Sequence, residues 1–335
     1  MSAREPSVES AEERLIARYF RPLATHPGAF GLLDDAAVLT PPPGCDLVLK
    51  TDAIVGGVHF FPDDPPDAVA KKALRVNLSD LAAKGARPLG FLLSLALPSA
   101  IDESWLTAFS QGLAADAERY GCPLFGGDTD RTPGPVTIAI AAFGAVPHGT
   151  LVKRSTARVG DLIVVTGTVG DAALGLRLRQ ERAAARWGLD EAMQSHLLAR
   201  YLLPEPRLAV AEALRAHASA SMDVSDGLVG DLAKLCRASG VSGEVEVARV
   251  PLSAAARRAL RVEPGLIAAV LTGGDDYEIV ATVAAGAAEA FCAAAAATGT
   301  ALTVIGRVMA GEDEPRFFDD HGRALTFAQR SYSHF

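Results

Sequence analysis

Carboxylates recur beside apolar segments of this chain, and they are the side chains most able to do chemistry. The stretch MDVSDGLVGDLAKL, residues 222–235, places three aspartates within nine residues. Carboxylates beside a buried segment lose hydration and repel one another, so a cluster of them needs a counterion. Similar aspartates occur in LLDDAAVL, KTD, NLSD and GGDTD. The full set is Asp34, Asp35, Asp52, Asp80, Asp128, Asp130, Asp223, Asp226 and Asp231.

Each aspartate taken singly has a simpler explanation. An aspartate that follows a strand commonly caps a helix or forms a turn. Asp161 is interpreted as a turn residue, and Asp171 and Asp231 as helix-start or solvent-facing charges. Asp80 does not fit this explanation, because it lies late in a predicted helix with Asn77 on the same face. The set as a whole therefore favours a functional site.

Binding of a hard cation is the chemistry that unites these residues. No histidine cluster or cysteine pair accompanies the aspartates, and lysines are not interleaved with them. All-oxygen ligands select Mg²⁺ first and Mn²⁺ next. Mg²⁺ held by carboxylates usually completes its shell with water and substrate phosphates. The pattern therefore indicates a phosphorylated ligand such as a nucleotide.

The familiar nucleotide-binding motifs are absent from the sequence. There is no G-x-x-x-x-G-K-[ST], no G-x-G-x-x-G that opens a helix after a strand, and no protein-kinase signature set. The stretch TGTVGDAALGL, residues 166–176, is a Gly-rich turn that enters a helix. Its backbone N–H groups could hold an anion, although an ordinary turn explains it equally well.

Composition restricts the class of protein. The chain has 335 residues, 49% of them hydrophobic, and a net charge of −8, which argues against nucleic acid or an anionic membrane as a partner. The four cysteines show no C-x-x-C spacing, which favours reduced thiols in a cytoplasm. The polar, acidic N-terminus predicts no signal peptide. The apolar runs are shorter than the roughly 20 residues of a membrane span.

Alternating strands and helices predict a mixed α/β chain that positions these carboxylates. Helices are expected over 9–20 and 67–84, and the alanine-rich run 284–297 is expected to be a surface helix. A buried strand that ends in an aspartate is expected at LVLKTD (47–52), and apolar strands are expected at LGFLLSLALP, VTIAIAAFGAVP and LIVVTG (162–167). A turn-rich stretch over 146–161 predicts a boundary between two related domains, 1–148 and 149–335.

A series of stretches in fixed order carries a family resemblance. They include DDAAVL, TDAIVGGVHF, KALRVNLSDLAAKGARP, GGDTDR, KRSTARVGD, MDVSDGLVGDL, LTGGDDYE and the terminal YSHF. In the order and spacing of these stretches the chain resembles the thiamine-monophosphate kinases. That family belongs to a superfamily that also holds aminoimidazole-ribonucleotide synthetase and selenophosphate synthetase.

The resemblance implies a fold and a reaction. It implies two α/β domains of α+β type, each a mixed sheet covered by helices. The first would bind ATP and Mg²⁺ and pair with its copy in a homodimer, and the second would complete the active site. The implied cytoplasmic enzyme transfers a phosphoryl group from ATP to thiamine monophosphate, with several Mg²⁺ ions and no protein nucleophile. Neither nucleic acid nor a membrane is an implied partner.

The resemblance also implies roles for individual residues. The positions that match metal ligands are Asp34, Asp35, Thr51, Asp52, Asp80, Asp128, Asp223 and Asp226. The positions that match ATP contacts are Gly127, Asp128, Arg154 and Ser225. The positions that match contacts to thiamine monophosphate are His59, Asp275 and Tyr332. Without the resemblance, Arg154 would be interpreted as a surface arginine, His59 as a packed histidine and Tyr332 as a packing residue.

Three positions depart from the family pattern. Leu33 stands where the family usually has the glycine of GDD, which puts the backbone at Asp34 and Asp35 in question. Lys50 replaces a residue that is often serine, and its ammonium cannot bind a metal. Asp275 replaces glutamate and is one methylene shorter, so a direct contact could become water-mediated.

Two alternatives to a thiamine-monophosphate kinase stay open. The first is a sister ATP-using synthetase, although selenophosphate synthetase would need a reactive residue near the N-terminus and the first cysteine is Cys45. The hydrogenase-maturation relative would end in a reactive cysteine, whereas this chain ends in SYSHF. The second is a non-catalytic nucleotide or metal binder, which Leu33 and Lys50 would support.

Overall fold

A computed structural model describes residues 10–181 and 184–331, and the chain divides into two units. The first unit comprises Leu49–Asn77 and Pro88–Ala145 with the described part of Met1–Pro43. The second comprises Gly44–Val48, Leu78–Arg87 and the described part of Val146–Phe335. Two short segments from the N-terminal half therefore belong to the second unit, and the boundary between residues 148 and 149 stays a prediction.

From residue 10 onward, the N-terminal half contributes three α-helices and four strands. In chain order they are α1 (Ala11–Leu15), β1 (Cys45–Val55), α2 (Pro66–Ala83), β2 (Arg87–Leu97), α3 (Glu103–Arg119), β3 (Leu124–Arg131) and β4 (Thr137–Pro147). The strands form one sheet in the order β1-β4-β2-β3, in which β2 and β3 run parallel. A capping box of Ser10 and Glu13 starts α1, and a π-helical turn over Ile16–Phe20 continues it.

The two faces of the first sheet have different environments. Along β2, Leu93 and Leu95 are buried, whereas Leu92, directly before Leu93, is 38% exposed. This alternation follows from the two-residue period of a strand. On β1, Leu49 is 70% exposed. The first sheet therefore has a buried face and a face that presents apolar side chains to solvent.

A buried ion pair joins the two long helices of this half. The Arg75 guanidinium on α2 binds the Asp116 carboxylate on α3 through two contacts, Nε–Oδ2 at 2.5 Å and Nη2–Oδ1 at 2.9 Å. This two-pronged geometry is the strong form of an arginine–carboxylate pair. Phe109 and Leu113 of α3 are fully buried, so α3 contributes to the core of the first unit.

The C-terminal half is built on a six-stranded sheet. Its elements are β5 (Leu162–Thr166), α4 (Asp171–Glu181), α5 (Ala184–Trp187), α6 (Glu191–Leu202), α7 (Ala211–His217), β6 (Ala218–Val224), α8 (Leu228–Ser239), β7 (Ser242–Glu246), α9 (Ala254–Val262), α10 (Leu266–Thr272), β8 (Glu278–Val283), α11 (Ala288–Ala297), β9 (Leu302–Met309) and β10 (Arg316–Phe318). The strand order is β10-β7-β9-β5-β8-β6. The β10–β7 pair is parallel and the other pairs are antiparallel.

Helices cover both faces of the second sheet. On one face, Ile163 of β5 lies in a core cluster with Leu232 of α8. On the other face, Val164 lies in a cluster with Leu214 of α7 and Phe291 of α11. Neighbouring residues of β5 thus point into opposite cores, as the pleat of a strand requires. The predicted fold of two mixed sheets covered by helices is confirmed.

The elements predicted from periodicity are also confirmed, with small shifts at their ends. The helix expected over 67–84 spans 66–83, and the strand expected over 47–52 lies within β1. The expectation that this strand is buried and ends at Asp52 is wrong, because Leu47 and Leu49 are exposed and β1 continues to Val55. The alanine-rich run forms α11, with Phe291 and Ala295 buried. Within the described residues, no helix is long and apolar enough to cross a membrane.

Candidate functional site

The metal-ligand candidates on β1 lie beside a lysine. Lys50 Nζ is 3.0 Å from Asp52 Oδ1, and both side chains are partly exposed. The two residues are two positions apart on a strand, so their side chains share one face. The Asp52 N–H donates to Asn77 Oδ1 at 2.8 Å. Asn77 is fully buried, so it fixes the backbone of β1 at Asp52, while Thr51 is exposed beside it.

The acidic pair Asp34–Asp35 lies in an exposed bend after a short 3₁₀ segment. Leu33 has φ −108°, a conformation that any residue adopts. The left-handed conformations fall earlier, at Phe30 with φ 50° and Leu32 with φ 55°. Leu33 therefore does not strain the backbone at the pair. The leucine instead places an apolar side chain, 76% exposed, next to the carboxylates.

Gly127 has a structural role on β3. A Cβ at this position would lie 1.8 Å from the Leu93 carbonyl oxygen of the neighbouring parallel strand, so only glycine fits. Asp128 follows it, exposed and in register with Ser94. β3 and β1 are the two edges of the first sheet. Asp128 and Asp52 are therefore separated by two intervening strands within one chain.

His59 lies in the loop after β1 and bonds back to the end of that strand. Its Nδ1 accepts the Val55 N–H at 3.0 Å, so the ring nitrogen that carries a proton in the neutral form is Nε2. The ammonium of the buried Lys72 donates a hydrogen bond to the His59 carbonyl oxygen at 2.9 Å. These bonds fix the position of the imidazole. These contacts support the interpretation of His59 as a packed histidine. Its contact to substrate stays a prediction.

Asp223 is held at the end of β6. The carboxylate is almost fully buried, and its Oδ2 accepts the Ser79 hydroxyl at 2.9 Å. Ser79 belongs to the segment Leu78–Arg87 of the second unit, and Asp80 follows it, half-buried. Further along this segment, Lys84 Nζ donates to the Ser221 carbonyl oxygen at 2.6 Å. The end of α2 and the end of β6 thus position the two predicted ligands Asp80 and Asp223 within the same unit.

Asp226 is neutralised by a lysine on the following helix. Lys234 Nζ contacts Asp226 Oδ2 at 2.5 Å and Asp231 Oδ1 at 2.8 Å. Asp231 Oδ2 accepts the Asp226 N–H at 2.8 Å. Burial raises the pKa of Asp231, and the Lys234 ammonium acts against that rise. Asp231 is therefore a buried residue in the first turn of α8, and the solvent-facing interpretation of it is wrong.

Lysines that are not interleaved with the aspartates in the sequence therefore contact two of them in space. Lys50 lies at Asp52 and Lys234 lies at Asp226, each within ion-pair distance. The protein supplies part of its own counter-charge. The donor atoms are hard oxygens that suit Mg²⁺. Among residues 10–181 and 184–331, no group of three or more His, Cys, Asp or Glu residues could hold a metal ion by itself.

The loop that carries Asp275 packs against the Ser225 turn. The Asp275 N–H donates to the Ser225 carbonyl oxygen at 2.8 Å. A Cβ at Gly274 would lie 2.4 Å from the same oxygen, so the two loops touch at a glycine. Gly227, with φ 104°, permits an equally close approach to Thr272. Ser225, Asp226 and Asp275 are therefore brought together on two joined loops.

A buried ionic network lies behind this loop, and sequence reasoning missed it. Glu278 is fully buried and accepts Arg200 Nη2 at 2.9 Å and Arg207 Nε at 2.7 Å. The Thr166 hydroxyl donates to Glu278 Oε2 at 2.7 Å. A carboxylate with this many donors is stable without solvent. The network fixes the start of β8.

The Gly-rich turn before α4 holds an anion from the chain itself. Asp276 Oδ2 accepts the Gly170 N–H at 2.7 Å, and its Oδ1 accepts the Ala172 N–H at 3.4 Å. Asp276 is fully buried, and burial raises its pKa well above the usual value. The two readings left open for this turn are thus resolved within the described residues, because the helix N-terminus binds an internal carboxylate.

Asp171 starts α4 and is also buried. Its Oδ2 accepts the Thr168 hydroxyl at 2.6 Å and lies 3.0 Å from His196 Nε2, while Oδ1 accepts the Ser253 hydroxyl at 2.5 Å. Burial acts to raise the pKa of Asp171, but these hydrogen bonds outweigh it and lower the pKa. The helix-start interpretation is confirmed, and the solvent-facing one is wrong.

Arg154 and Tyr332 are the two remaining candidates. Arg154 lies in an exposed turn, and its carbonyl oxygen accepts the Ser239 hydroxyl at 3.0 Å. Its guanidinium has no hydrogen bond or ion pair with the described part of the chain. Tyr332 lies outside the described residues. Asp161 is a turn residue as predicted, since its Oδ2 accepts the Arg158 N–H at 3.0 Å.

The fold and the joined loops define a class of protein. Residues 33–146 match the family model of the AIR synthase related protein N-terminal domain, and residues 158–317 match that of the C-terminal domain. The chain is thus an AIR synthase related protein by fold.

Comparison with individual proteins narrows the class. A thiamine-monophosphate kinase of Caulobacter vibrioides is 42% identical over 95% of this chain and 89% of its own length. The crystal structure of thiamine-monophosphate kinase from Stenotrophomonas maltophilia K279a is 38% identical, with a TM-score of 0.81, and covers 93% of this chain and 96% of that one. The structure of AaThiL complexed with AMPPCP and TMP is 31% identical, with a TM-score of 0.76 over 92% and 97%. The chain belongs to the thiamine-monophosphate kinase family.

Proposed function

We propose that this chain catalyses the ATP-dependent phosphorylation of thiamine monophosphate to thiamine diphosphate. One observation carries the proposal. Asp223 ends β6 beside the turn of Ser225 and Asp226, and the Asp275 N–H joins its own loop to that turn by a bond to the Ser225 carbonyl oxygen, in a chain of this family. The solved relative that is complexed with AMPPCP and TMP supports both ligands. AMPPCP is an ATP analogue, and TMP is thiamine monophosphate.

The main obstacle to this reaction is repulsion between two phosphate-bearing substrates. The acceptor is a phosphate that is already ionised at neutral pH, so the chain needs no protein nucleophile and no general base. Catalysis then consists of positioning and electrostatic stabilisation of an in-line transfer. The exposed Arg154 has a planar guanidinium fork that suits phosphate oxygens. His59, Asp275 and Tyr332 are proposed to contact the acceptor, and Gly127, Asp128 and Ser225 the nucleotide.

Mg²⁺ is the proposed cofactor, and it would neutralise phosphate charge and align the donor and acceptor oxygens. The proposed ligands are Asp34, Asp35, Thr51, Asp52, Asp80, Asp128, Asp223 and Asp226. Carboxylates that occur singly or in pairs fit an ion that completes its shell with water and substrate phosphates. On this proposal the ions arrive with the nucleotide, and the acidic side chains receive them.

A homodimer in the cytoplasm is the proposed assembly. In the first sheet, Leu49 on β1 and Leu92 on β2 are exposed to solvent. Apolar side chains on an otherwise uncovered sheet face are typical of a surface that another copy buries. All four cysteines are free, in keeping with a reducing compartment.

The function is tested by measuring ADP release with ATP and Mg²⁺ while thiamine monophosphate or thiamine is added in turn. The product is identified by mass. Thiamine diphosphate formed only from the monophosphate supports direct transfer to a phosphate acceptor. ATP binding without turnover would instead favour a non-catalytic binder, and turnover without thiamine diphosphate would favour a sister synthetase.

A further inference from the structure

Two non-glycine residues with left-handed backbone lie in the short segment 275–277. Asp275 has φ 70° and Tyr277 has φ 50°. This conformation costs free energy for any residue with a Cβ atom. Such strain persists only where the surroundings hold it, and it concentrates at functional sites. The proposed function gives Asp275 a role but does not explain the conformation of the whole segment.

Main-chain bonds hold the segment on the Ser225 turn. The Asp275 N–H donates to the Ser225 carbonyl oxygen at 2.8 Å, and the Tyr277 N–H donates to the Val224 carbonyl oxygen at 2.9 Å. Both acceptors follow Asp223 directly in the chain. The segment is therefore fixed to the same turn that carries the proposed metal and nucleotide contacts.

Side-chain bonds of Asp276 hold the segment from its other side. Its carboxylate accepts the Gly170 N–H at 2.7 Å, and its carbonyl oxygen accepts Arg200 Nη2 at 2.9 Å. The same Arg200 nitrogen donates to Glu278 at 2.9 Å. Asp276, Arg200 and Glu278 are all buried. The buried network thus fixes the backbone on both sides of Tyr277.

Tyr277 faces Asp275 across the segment. The Tyr277 hydroxyl donates to Asp275 Oδ1 at 3.3 Å. This distance exceeds the usual 2.7–2.8 Å or so of O–H···O bonds, and hydrogen bonds of this kind often tighten when a ligand binds. The tyrosine ring is buried, so the hydroxyl approaches the carboxylate from a fixed direction.

We propose that residues 275–277 form a preorganised recognition segment, in which Tyr277 orients the Asp275 carboxylate and Asp276 holds the backbone that makes this possible. The inference rests on the proposed function, because it assigns Asp275 to thiamine monophosphate. Tyr277 and Asp276 are positioning residues that act through Asp275. Their effect falls on recognition of the acceptor and leaves the nucleotide untouched.

The first test is Tyr277→Phe, which removes only the hydroxyl. We expect the KM for thiamine monophosphate to rise about fivefold, the effect of losing one ordinary hydrogen bond. We expect the KM for ATP, kcat and the melting temperature to stay at wild-type values. Calorimetric titration of thiamine monophosphate in the presence of a non-hydrolysable ATP analogue should show the same loss of affinity.

The matched control is Tyr19→Phe. Tyr19 is also a buried tyrosine, and its hydroxyl has no hydrogen-bond partner within the described residues. Loss of that hydroxyl should change neither KM value. The comparison separates the effect of the Tyr277 hydrogen bond from the effect of removing any buried hydroxyl.

A second pair of variants tests Asp276. Asp276→Ala removes the acceptor for the Gly170 N–H, and we expect a higher KM for thiamine monophosphate with an unchanged KM for ATP. Asp276→Asn keeps one acceptor oxygen and should restore most of the wild-type KM. Purely structural damage from Asp276→Ala would change both KM values or kcat together, and that result would overturn the proposal.

The outcomes for this inference and for the proposed function are distinguishable. Wild-type protein that forms no thiamine diphosphate refutes the proposed function and the inference with it. Active wild-type protein with an unchanged KM in Tyr277→Phe refutes the inference alone. A Tyr277→Phe variant that loses kcat or thermal stability without a change in KM also refutes the inference.

Discussion

The Ser79 hydroxyl donates a 2.9 Å hydrogen bond to Asp223 Oδ2 across a sequence separation of 144 residues, and both residues are buried. The bond links the end of α2 to the end of β6. It fixes one oxygen of a carboxylate that we propose as a metal ligand. A buried hydrogen bond to a charged group is worth more than a neutral one, so this pair is a sensitive place to test the site.

Ser79→Ala should destabilise the protein by about 2 kcal/mol, because the buried Asp223 carboxylate would lose a donor. Urea unfolding measures the change in the free energy of unfolding. Ser104→Ala is the matched control, since the Ser104 hydroxyl donates to Asp102 at 2.8 Å in an exposed position. The control should lose less than about 0.5 kcal/mol. Equal losses in the two variants would contradict the importance of the buried bond.

Asp226→Asn should abolish turnover and leave the fold intact. The substitution removes a charge that we propose to bind Mg²⁺, while Lys234 keeps its contact with Asp231 at 2.8 Å. The loss of an attractive pair with Lys234 means that the variant should not be more stable than the wild type. Steady-state kinetics and thermal unfolding measure the two effects.

The control for this variant is Asp130→Asn, because Asp130 is an exposed aspartate of β3 outside the proposed ligand set. The control should keep its activity. Near-normal kcat in Asp226→Asn at moderate Mg²⁺ would show that Asp226 does not bind the metal.

Lys234→Met should increase the affinity for divalent cations by a few fold. The ammonium contacts Asp226 at 2.5 Å, so a cation that binds this carboxylate has to displace it. The variant should also lose no more than about 1 kcal/mol of stability, since Lys234 is about one-third exposed and solvent screens the pair. Free Mn²⁺ measured by electron paramagnetic resonance reports the affinity without any assay of turnover.

Lys71→Met is the control for the lysine variant. Lys71 pairs with Asp67 at 2.9 Å along α2, and Asp67 is not one of the proposed ligands. Its substitution should leave Mn²⁺ affinity unchanged. A fall in Mn²⁺ affinity in Lys234→Met would refute competition between the ammonium and the metal.

The pH dependence of stability should include a contribution from His196. The hydrogen bond with Asp171 raises the pKa of His196 above its usual 6.5, and burial acts in the opposite direction. Arg200 lowers this pKa and Glu205 raises it, each by its charge. The stabilisation is therefore fully present below pH 6.5 and is lost as the pH rises through the folded-state pKa.

His196→Gln should remove this dependence. We expect the free energy of unfolding to fall between about pH 6 and about pH 8.5 by about 0.5 kcal/mol more in the wild type, a value reduced for solvent screening. Urea unfolding at the two pH values measures it. His148→Gln is the control, because the His148–Asp46 pair is exposed. An identical slope in wild type and His196→Gln would contradict the prediction.

The exposed face of the first sheet should hold the proposed dimer together. A double variant, Leu49→Asp with Leu92→Asp, places charges on that face and should shift the protein to a monomer. Light scattering during size-exclusion chromatography measures the mass. Val262→Asp is the control, because Val262 is a similarly exposed apolar residue on α9. A wild-type monomer, or a double variant that stays dimeric, would refute this interface.

Sequence periodicity predicted the elements well because their signals are local. The runs that became β2 and β5 are mostly apolar, and α2 is bounded by Pro66 and Gly85. The lysine contacts were also within reach of the sequence. Lys50 and Asp52 are two residues apart on a strand, so their side chains share one face, and Asp231 and Lys234 are three residues apart on a helix. The absence of lysines between the aspartates does not reveal these contacts, because they depend on shared faces of a strand or a helix.

The remaining contacts depend on the tertiary fold and have no local signal. Glu278 meets Arg200 across 78 residues, and Asp276 meets Gly170 across 106. Asp276 and Glu278 lie with Asp275 in one short stretch, GGDDYE. Nothing in that stretch tells which carboxylate faces a ligand and which faces the interior. The structure separates them, because Asp276 and Glu278 are fully buried and Asp275 is partly exposed.

The occupied N-terminus of α4 changes what its glycines signify. A Gly-rich turn followed by a helix is ordinarily taken as a receptor for phosphate, but here Asp276 fills it from within the same chain. The turn therefore connects two loops of the same chain through hydrogen bonds. Its glycines allow two chain segments to approach closely. The specificity of the protein for its ligands therefore depends on other residues.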